Sequence, residues 1–304
     1  MKRRCTPFRL NLMDFGPMRV VSSSLSIKAN PEGAISSDPK SLRPQPLILA
    51  RAIRKSFGQR RVLAGIDLDV PAGSITGLVG PNGVGKTTLL RIVAGITEPD
   101  AGTILVCGED ISRGPDRIRH KVGFVPEEPL LMDYLTAHEA LMLVGSLHNM
   151  PANTLREAVR ELLYLWDLSR QEHQLLRTFS HGMKQKVLVL MALLPSPPVL
   201  LLDEPLAGLD LYSSLVLKEL LRLQSAAGRA VLTSSHVLSL VEDVCDTIMI
   251  LDRAEIVFRG PILAAKGSAS NLEAFVLRQV RDMVDPRATA LQLQRTLAAV
   301  APAE

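Results

Sequence analysis

One eight-residue pattern constrains this chain more than any other feature. Residues 80–87 read Gly-Pro-Asn-Gly-Val-Gly-Lys-Thr and fill every fixed position of GxxxxGK[ST]. The pattern follows the short apolar run Ser74–Val79, which is typical of a buried strand. It opens the segment Lys86–Ala94, which we predict to be a helix. A strand, this turn and a helix in that order form the context in which the pattern binds phosphate.

The chemistry of an anion explains the spacing. Glycines let the backbone close around phosphate without a Cβ clash. Successive N–H groups and the helix N-terminus then face the anion. We expect Lys86 to reach the β and γ phosphates, Thr87 to ligate Mg²⁺ and Thr88 to add a backbone donor. The pattern predicts nucleotide binding, but it does not choose among kinases, GTPases, helicases and transporters.

A second apolar strand ends in two acids. Val199–Leu202 is followed directly by Asp203 and Glu204. A buried parallel strand delivers such acids to the edge of the sheet where the phosphate loop lies. We expect Asp203 to hold Mg²⁺, mostly through water, and Glu204 to position or deprotonate the attacking water. Successive side chains on an extended strand point differently, so two adjacent acids can divide these roles. The alternative, a solvated turn after a core strand, is disfavoured by the phosphate loop.

The remaining patterns predict the architecture. Short apolar strands alternate with helices and predict a parallel α/β sheet; they are Ser74–Val79, Val199–Leu202, Ala230–Thr233 and Thr247–Leu251, with a helix at about Leu211–Gln224.

Two further regions differ from this sheet. Leu47–Ile53 and Arg61–Val70 have strand spacing with turn signals after each and predict a small antiparallel sheet. Ala137–Gly145 and Leu155–Leu165 have the 3.6-residue period of helices, with Asn153 or Thr154 as a candidate N-cap.

Taken together, these motifs resemble the ATP-binding-cassette (ABC) family over about residues 47–260. The segment Phe179-Ser-His-Gly-Met-Lys-Gln185 stands where that family has its LSGGQ signature, with Ser180 23 residues before Asp203. In the family this segment begins a helix and binds the γ-phosphate held by the opposite subunit, and Ser180 is a suitable N-cap for that helix. Phe179, His181 and Met183 depart from the general pattern, and the SxGM form resembles ABC-2-type exporter subunits.

Three more positions carry the resemblance. Leu206-Ala-Gly-Leu-Asp210 resembles the D-loop at the subunit contact, and His236 resembles the switch histidine that contacts the γ-phosphate. Phe57, 23 residues before Gly80, resembles the aromatic residue that stacks on adenine.

Glu127 departs from the family pattern, because it stands where the family commonly has a Gln that contacts Mg²⁺. A carboxylate is a harder ligand for Mg²⁺, so we expect function to be retained with altered metal or pH dependence.

The resemblance implies an α/β P-loop NTPase fold, with a RecA-like mixed sheet and flanking helices, an antiparallel β subdomain and a helical insert at about 128–182. It implies ATP and Mg²⁺ as cofactors and an ATPase activity. The implied catalytic residues are Lys86, Glu204 and His236, and the implied metal ligands are Thr87, Asp203 and Glu127. The implied nucleotide-binding residues are Phe57, Gly80, Pro81, Asn82, Gly83, Val84, Gly85, Lys86, Thr87, Thr88, Ser180, Gly182 and Asp210.

The family architecture also implies partners. The signature cannot reach the phosphate loop of its own chain, which implies a homodimer or a dimer with a paralogous ATPase. The chain would then energise transport, with export favoured by the signature variant, through a separate integral membrane permease. Its expected place is the cytoplasm, peripheral on the cytoplasmic face of the membrane. The substrate is selected by the permease and is not encoded in this chain.

Two alternative functions agree less well with the sequence. A soluble ABC ATPase acting on DNA is disfavoured, because such members carry a long coiled coil between the phosphate loop and the signature, whereas here only 94 residues without sustained heptads separate Lys86 from Ser180. One acting on ribosomes is disfavoured because such members usually hold two cassettes in one chain, and this chain has one. A degenerate regulatory ATP binder is disfavoured by the intact Lys86, Asp203, Glu204 and His236.

Charge and composition limit the remaining possibilities. The net charge is +4, but residues 1–45 hold eight Lys/Arg against three acids, so the rest of the chain has a net charge of −1. A nucleic-acid partner is therefore not expected.

Residues 1–46 are predicted to be a disordered basic extension, with an over-long start or a transit peptide as alternatives. Residues 47–260 form the predicted ATP-binding domain, and residues 261–304 a helical tail. Three widely spaced Cys predict neither a disulfide framework nor a zinc site.

Overall fold

The computed structural model describes residues 46–114, 116–129, 132–267, 271–280, 290–292 and 294. The predicted extension, apart from Pro46, and most of the predicted tail beyond Val280 lie outside the described residues. The described strands are β1 (Pro46–Phe57), β2 (Arg60–Pro71), β3 (Ser74–Val79), β4 (Ala101–Val106), β5 (Glu109–Asp110), β6 (Val122–Val125), β7 (Val199–Asp203), β8 (Ala230–Ser234), β9 (Thr247–Asp252) and β10 (Glu255–Pro261). The described α-helices are α1 (Lys86–Val93), α2 (Asp116–Arg119), α3 (Ala137–Leu147), α4 (Ala152–Leu165), α5 (His181–Leu193), α6 (Leu211–Ala226), α7 (Leu238–Val244), α8 (Ile262–Gly267) and α9 (Leu272–Gln279).

The strands form two sheets. One sheet has the order β2-β1-β4-β5 and is antiparallel, which confirms the antiparallel sheet predicted from the first two runs. The other has the order β10-β9-β3-β8-β7-β6. Its strands β9, β3, β8, β7 and β6 are parallel, and β10 is antiparallel to β9 at one edge. The predicted parallel sheet is therefore confirmed, with a mixed edge.

The central sheet separates two apolar layers, and alternation along its strands fills both of them. In β7, Leu200 and Leu202 belong to one layer, whereas Val199 and Leu201 belong to the other. The first layer contains residues of α3, α4, α5, α6, α7 and α9. The second contains residues of α1 and the antiparallel sheet. A strand that is buried on both faces needs a continuous apolar run, which is what the sequence of β7 provides.

The beginnings of two helices test the capping predictions. Ser180 is the N-cap of α5, and its Oγ accepts a hydrogen bond from the Met183 N–H at 3.3 Å, as predicted. The N-cap predicted for α4 at Asn153 or Thr154 was wrong. Helix α4 begins at Ala152 after Pro151, whose φ of −60° already suits a helix start, and no side chain caps it.

The loop before α3 is tied to the segment before α5. The Leu176 N–H donates to the Leu135 carbonyl at 2.8 Å, and the Lys184 ammonium lies 3.0 Å from the Asp133 carboxylate. Helix α3 itself begins with a reciprocal cap between Thr136 and Glu139. In the described part of the chain, no helix is both long and apolar enough to cross a membrane.

Candidate functional site

A cleft of about 420 Å³ lies at the carboxyl edge of the central sheet, where β3 leads into α1. It brings together the predicted aromatic residue, most of the phosphate loop, both acids and the predicted metal ligand Glu127. Its lining residues are Phe57, Arg60, Val62, Asn82, Gly83, Gly85, Lys86, Thr87, Thr88, Glu127, Asp203 and Glu204. Phe57 is 55% exposed, so its ring is available to a ligand.

The phosphate loop requires glycine at two positions. A Cβ on Gly80 would lie 2.2 Å from the Leu251 carbonyl oxygen, which leaves no room for a side chain. A Cβ on Gly85, where φ is +120°, would lie 2.9 Å from the Val62 carbonyl oxygen. The loop is therefore packed between the two sheets, and α1 begins immediately after it at Lys86. This places the N-terminus of α1 against the cleft.

Lys86 is folded back over the loop. Its ammonium donates to the Gly80 carbonyl at 2.7 Å and to the Pro81 carbonyl at 3.1 Å, and only 7% of the residue is exposed. Burial lowers the pKa of Lys86, and the charges of Glu204, Asp203 and Glu127 partly oppose that shift. The ammonium is thus held by two backbone carbonyls of the phosphate loop, within the electrostatic influence of the Glu204, Asp203 and Glu127 carboxylates.

Asp203 has one oxygen in a hydrogen bond and one without a partner. Its Oδ1 accepts a hydrogen bond from the Ser234 hydroxyl at 2.5 Å, and its Oδ2 is buried without a hydrogen-bond partner. A buried carboxylate oxygen is costly unless it is paired. Asp203 lines the same cleft as Thr87 and Glu127, so its unpartnered oxygen is suited to a cation or to water bound to one.

Glu204 and His236 are in direct contact. The His236 backbone N–H donates to Glu204 Oε2 at 3.2 Å, and His236 Nδ1 lies 2.8 Å from the same oxygen. The Glu204 side chain is only 7% exposed, whereas that of His236 is 60% exposed. Glu204 also adopts a positive φ of 48°, an unusual conformation for this residue type. The histidine lies beside the 420 Å³ cleft, in a neighbouring cavity lined by Gly80, Pro81 and Asn82.

The predicted signature and D-loop residues form a separate cluster. Ser180, Gly182 and Asp210 do not line the cleft. A Cβ on Gly182 would lie 2.2 Å from the Gly208 carbonyl oxygen, and the His181 ring packs on Gly208, so the two segments touch. Asp210 caps α6 and lies 3.1 Å from the Lys186 ammonium. The structure of one chain therefore does not bring these three residues to the phosphate loop.

Two residues at the site were not predicted. Ser234 bonds to Asp203 and also accepts a hydrogen bond from the Glu204 N–H at 3.1 Å. Arg60 lines the cleft and donates to the Gly83 carbonyl at 2.8 Å. Ser234 was not evident because the pairing of β7 with β8 puts it opposite Asp203, and strand register cannot be derived from the chain alone. Arg60 follows Phe57 by three residues, and this was the one available signal.

Comparisons with known proteins decide the family. The family model described as ABC transporter matches residues 63–207. The chain is 35% identical to the Nod factor export ATP-binding protein I of Ralstonia nicotianae, over 71% of this chain and 67% of that one. The chain belongs to the ABC transporter family. This ABC protein is also 33% identical to the linearmycin resistance ATP-binding protein LnrL of Bacillus subtilis, over 70% of this chain and 69% of that one.

A solved structure agrees with the assignment. It is described as the structure of an ATP-binding subunit of an ABC transporter, and its TM-score is 0.72 at 29% identity. The match covers 77% of this chain and 99% of the solved one. The expected P-loop NTPase fold and the expected family are both confirmed. The cleft at the phosphate loop is therefore the candidate nucleotide site of this ABC protein.

Proposed function

We propose that this ABC ATPase dimerises, binds ATP with Mg²⁺ and uses hydrolysis to drive export through a separate integral membrane permease. The ATPase would contact this permease at the cytoplasmic face of the membrane. The observation that carries the proposal is the convergence of Lys86, Asp203 and Glu204 on one cleft, with His236 on Glu204. Relatives named for Nod factor export and linearmycin resistance favour the export direction.

Mg²⁺ fits the residues at the cleft. The buried, unpartnered Oδ2 of Asp203 is a hard oxygen ligand, and Thr87 and Glu127 line the same cleft. Among the described residues, no group of three or more His, Cys, Asp or Glu side chains could hold a metal by itself. Nucleotide phosphates and water would therefore complete the coordination, which is the usual mode of Mg²⁺ in ATPases. When bound, the ion would stabilise the negative charge that develops on phosphate.

The protein groups then divide the remaining work. Glu204 accepts the proton of the attacking water, and its contact with His236 holds the carboxylate in place. Lys86 neutralises charge on the transferring phosphoryl group. The backbone N–H groups of residues 83–88 and the start of α1 orient the phosphates.

The position of the signature supports a dimer. Ser180 and Gly182 lie outside the cleft of their own chain, although the family signature acts on γ-phosphate. A second copy, turned head to tail, would bring its Ser180 and its α5 N-terminus to the phosphate. ATP would then favour the closed dimer and hydrolysis would release it, which is a population shift driven by nucleotide.

The helical insert supports contact with a permease. It exposes several large apolar side chains, namely Met132, Tyr134, Leu143 and Leu147. The loop that carries Met132 and Tyr134 is hydrogen-bonded to the segment before α5 through Leu135 and Leu176. A partner that pressed on this loop would therefore move the signature helix.

Two measurements test the proposal. Glu204→Gln is expected to lower kcat for ATP hydrolysis by at least about 100-fold while ATP binding persists, because only the base is lost. Glu128→Gln, which changes an exposed acid outside the cleft, is the control and is expected to keep wild-type activity.

For transport, the tagged chain is purified from gently solubilised membranes. Recovery of a polytopic membrane protein supports the permease. Recovery of the tagged chain with ribosomes or nucleic acid, or alone in the soluble fraction, overturns the proposed transport function and leaves the ATPase assignment unchanged.

A further inference from the structure

Arg60 links the first hairpin to the phosphate loop. It follows the turn after Phe57, at the start of β2, and its Nη2 donates to the Gly83 carbonyl at 2.8 Å. Gly83 has a φ of +70° and lies at the middle of the loop. The hydrogen bond therefore ties together two parts of the chain that both line the nucleotide cleft.

This contact fixes the direction of a backbone donor. The Gly83 carbonyl and the Val84 N–H belong to one planar peptide unit and point in opposite directions. When Arg60 holds the carbonyl, the N–H is held facing away from the guanidinium. Phosphate loops bind anions through such N–H groups, so the orientation of this peptide matters for affinity.

Most of the hydrogen-bonding capacity of Arg60 is unused. A guanidinium carries five N–H donors in a rigid fork, and the contact with Gly83 uses one side of it. Within the described part of the chain, no carboxylate lies within ion-pair distance of Arg60. The side chain is exposed on the rim of a cleft whose predicted ligand is a polyanion. An unpaired guanidinium at that place is suited to phosphate.

We propose that Arg60 binds the phosphate chain of the nucleotide directly, on the adenine side of the site occupied by Lys86, while it holds the Gly83 peptide. Its place between Phe57 and the phosphate loop assigns it to the α and β phosphates, which ATP and ADP share. This inference rests on the proposed ATP binding and adds a contact that is absent from the phosphate-loop pattern itself.

The neighbouring Arg61 provides a matched control. It has the same charge, is also exposed and lies on the same strand. It lines an adjacent cavity with Asp252 and Arg253 but not the nucleotide cleft. General attraction between a basic surface and ATP would involve both arginines, whereas a specific contact involves only Arg60.

The test compares Arg60→Gln, Arg60→Lys and Arg61→Gln in the full chain, with folding checked by thermal unfolding. Gln keeps an amide donor for the Gly83 carbonyl but loses the charge. We expect Arg60→Gln to raise the KM for ATP about tenfold with kcat changed less than about twofold, because a contact present throughout the reaction contributes uniform binding. Arg60→Lys should recover part of the affinity, since the charge returns without the fork. Arg61→Gln should match wild type.

Two binding measurements with a fluorescent ATP or ADP analogue complete the test. Arg60→Gln should lose affinity for both nucleotides equally, and the salt dependence of binding should weaken. Loss for ATP alone, equal effects of Arg60→Gln and Arg61→Gln, or an unchanged KM would each overturn the inference. Absence of nucleotide binding by the wild-type chain would instead overturn the proposed function, so the two failures are distinguishable.

Discussion

At the scale of single residues, Ser234 is the side chain that joins the two acids. It is fully buried, donates to Asp203 Oδ1 and accepts from the Glu204 N–H. Ser234→Ala leaves Asp203 Oδ1 without this partner, whereas the Glu204 N–H still has the Ser234 backbone carbonyl at 3.3 Å. We expect the free energy of unfolding to fall by about 1–3 kcal/mol, as for other buried unsatisfied groups. We also expect a higher half-saturating Mg²⁺ concentration in the ATPase assay, because Asp203 is no longer held in one orientation.

Ser235→Ala is the matched control for this prediction. Ser235 is also buried, but its hydroxyl bonds only locally, to the backbone of Val237. We expect a loss of stability without a change in Mg²⁺ dependence. If both variants shifted the Mg²⁺ dependence equally, Ser234 would have no specific part in orienting Asp203.

Glu127 gives a second prediction at this scale. Its carboxylate lines the cleft and raises the pKa of Lys86, although burial is the larger influence and lowers it. Glu127→Gln removes that support, so the pKa of Lys86 falls further. Lys86 must be protonated to neutralise phosphate, and the alkaline limb of the pH–rate profile should therefore move to lower pH. Half-saturation with Mg²⁺ should also need more metal.

The control for Glu127 is Glu128→Gln, which changes the adjacent exposed carboxylate outside the cleft. If the pH profile and the Mg²⁺ dependence of ATPase activity were the same in Glu127→Gln and wild type, the Glu127 carboxylate would have no role in either property.

The site was predictable where local sequence determines it. The phosphate loop, the acids at the end of β7 and the N-cap Ser180 depend on a few adjacent residues, and each lies where the pattern put it. Ser234 and Arg60 depend on strand register and on contact between two sheets. Such long-range contacts have no signature within a short window, so these two residues could not be derived.

At the scale of elements, Asp210 stabilises the start of α6. Its carboxylate accepts from the Ser213 N–H at 2.8 Å and from the Ser213 hydroxyl at 2.9 Å. These hydrogen bonds, with Lys186 as a smaller influence, lower the pKa of Asp210 from 3.8 to about 2. A carboxyl whose pKa is depressed in the folded state contributes stability above its unfolded pKa and loses it as the pH falls.

Asp210→Ala is therefore expected to cost about 1 kcal/mol of unfolding free energy near neutral pH, the usual value of a helix cap. The Lys186 ion pair adds little, because the Asp210 side chain is 57% exposed and solvent screens the pair. The difference from wild type should shrink as the pH falls from about 4 toward 2. Chemical denaturation at pH 6 and pH 3 checks this. Asp210→Asn keeps a neutral cap, so its advantage over Asp210→Ala should not change with pH.

Other elements were less predictable. The strands β7, β8 and β9 are continuous apolar runs and were evident, whereas β6 and β10 were not predicted. Both lie at edges of the central sheet, where one neighbour is missing and the selection for apolar residues is weaker. Helix α9 falls within the predicted helical tail, and its burial against the core depends on distant partners such as Phe258, which forms an edge-to-face pair with Phe275.

At the scale of the whole molecule, the proposed head-to-tail dimer makes a quantitative prediction. Ser180→Arg blocks the signature of a chain, and Lys86→Ala disables its phosphate loop. Each variant alone should be nearly inactive. Mixed in equal amounts, they should recover about a quarter of wild-type ATPase activity, because half of randomly paired dimers are mixed and each has one intact site of two.

The control mixes Lys86→Ala with Glu204→Gln. Both changes lie on the phosphate-loop side of the site, so a mixed dimer contains no intact site and no activity returns. Recovery in this mixture, or none in the first one beside an active wild type, would contradict a site shared between two chains.

The alternation along β7 has a consequence for how the protein tolerates change. Val199 and Leu201 face the layer that contains α1, and Asp203, two residues further on, follows the same parity toward the phosphate loop. Deleting one residue from this strand would exchange its two apolar faces and redirect the acid in the same step. The register of β7 therefore determines both the packing of its apolar side chains and the direction of the Asp203 carboxylate. A library of single-residue insertions and deletions should find β7 far less tolerant than the exposed turn at Gly58.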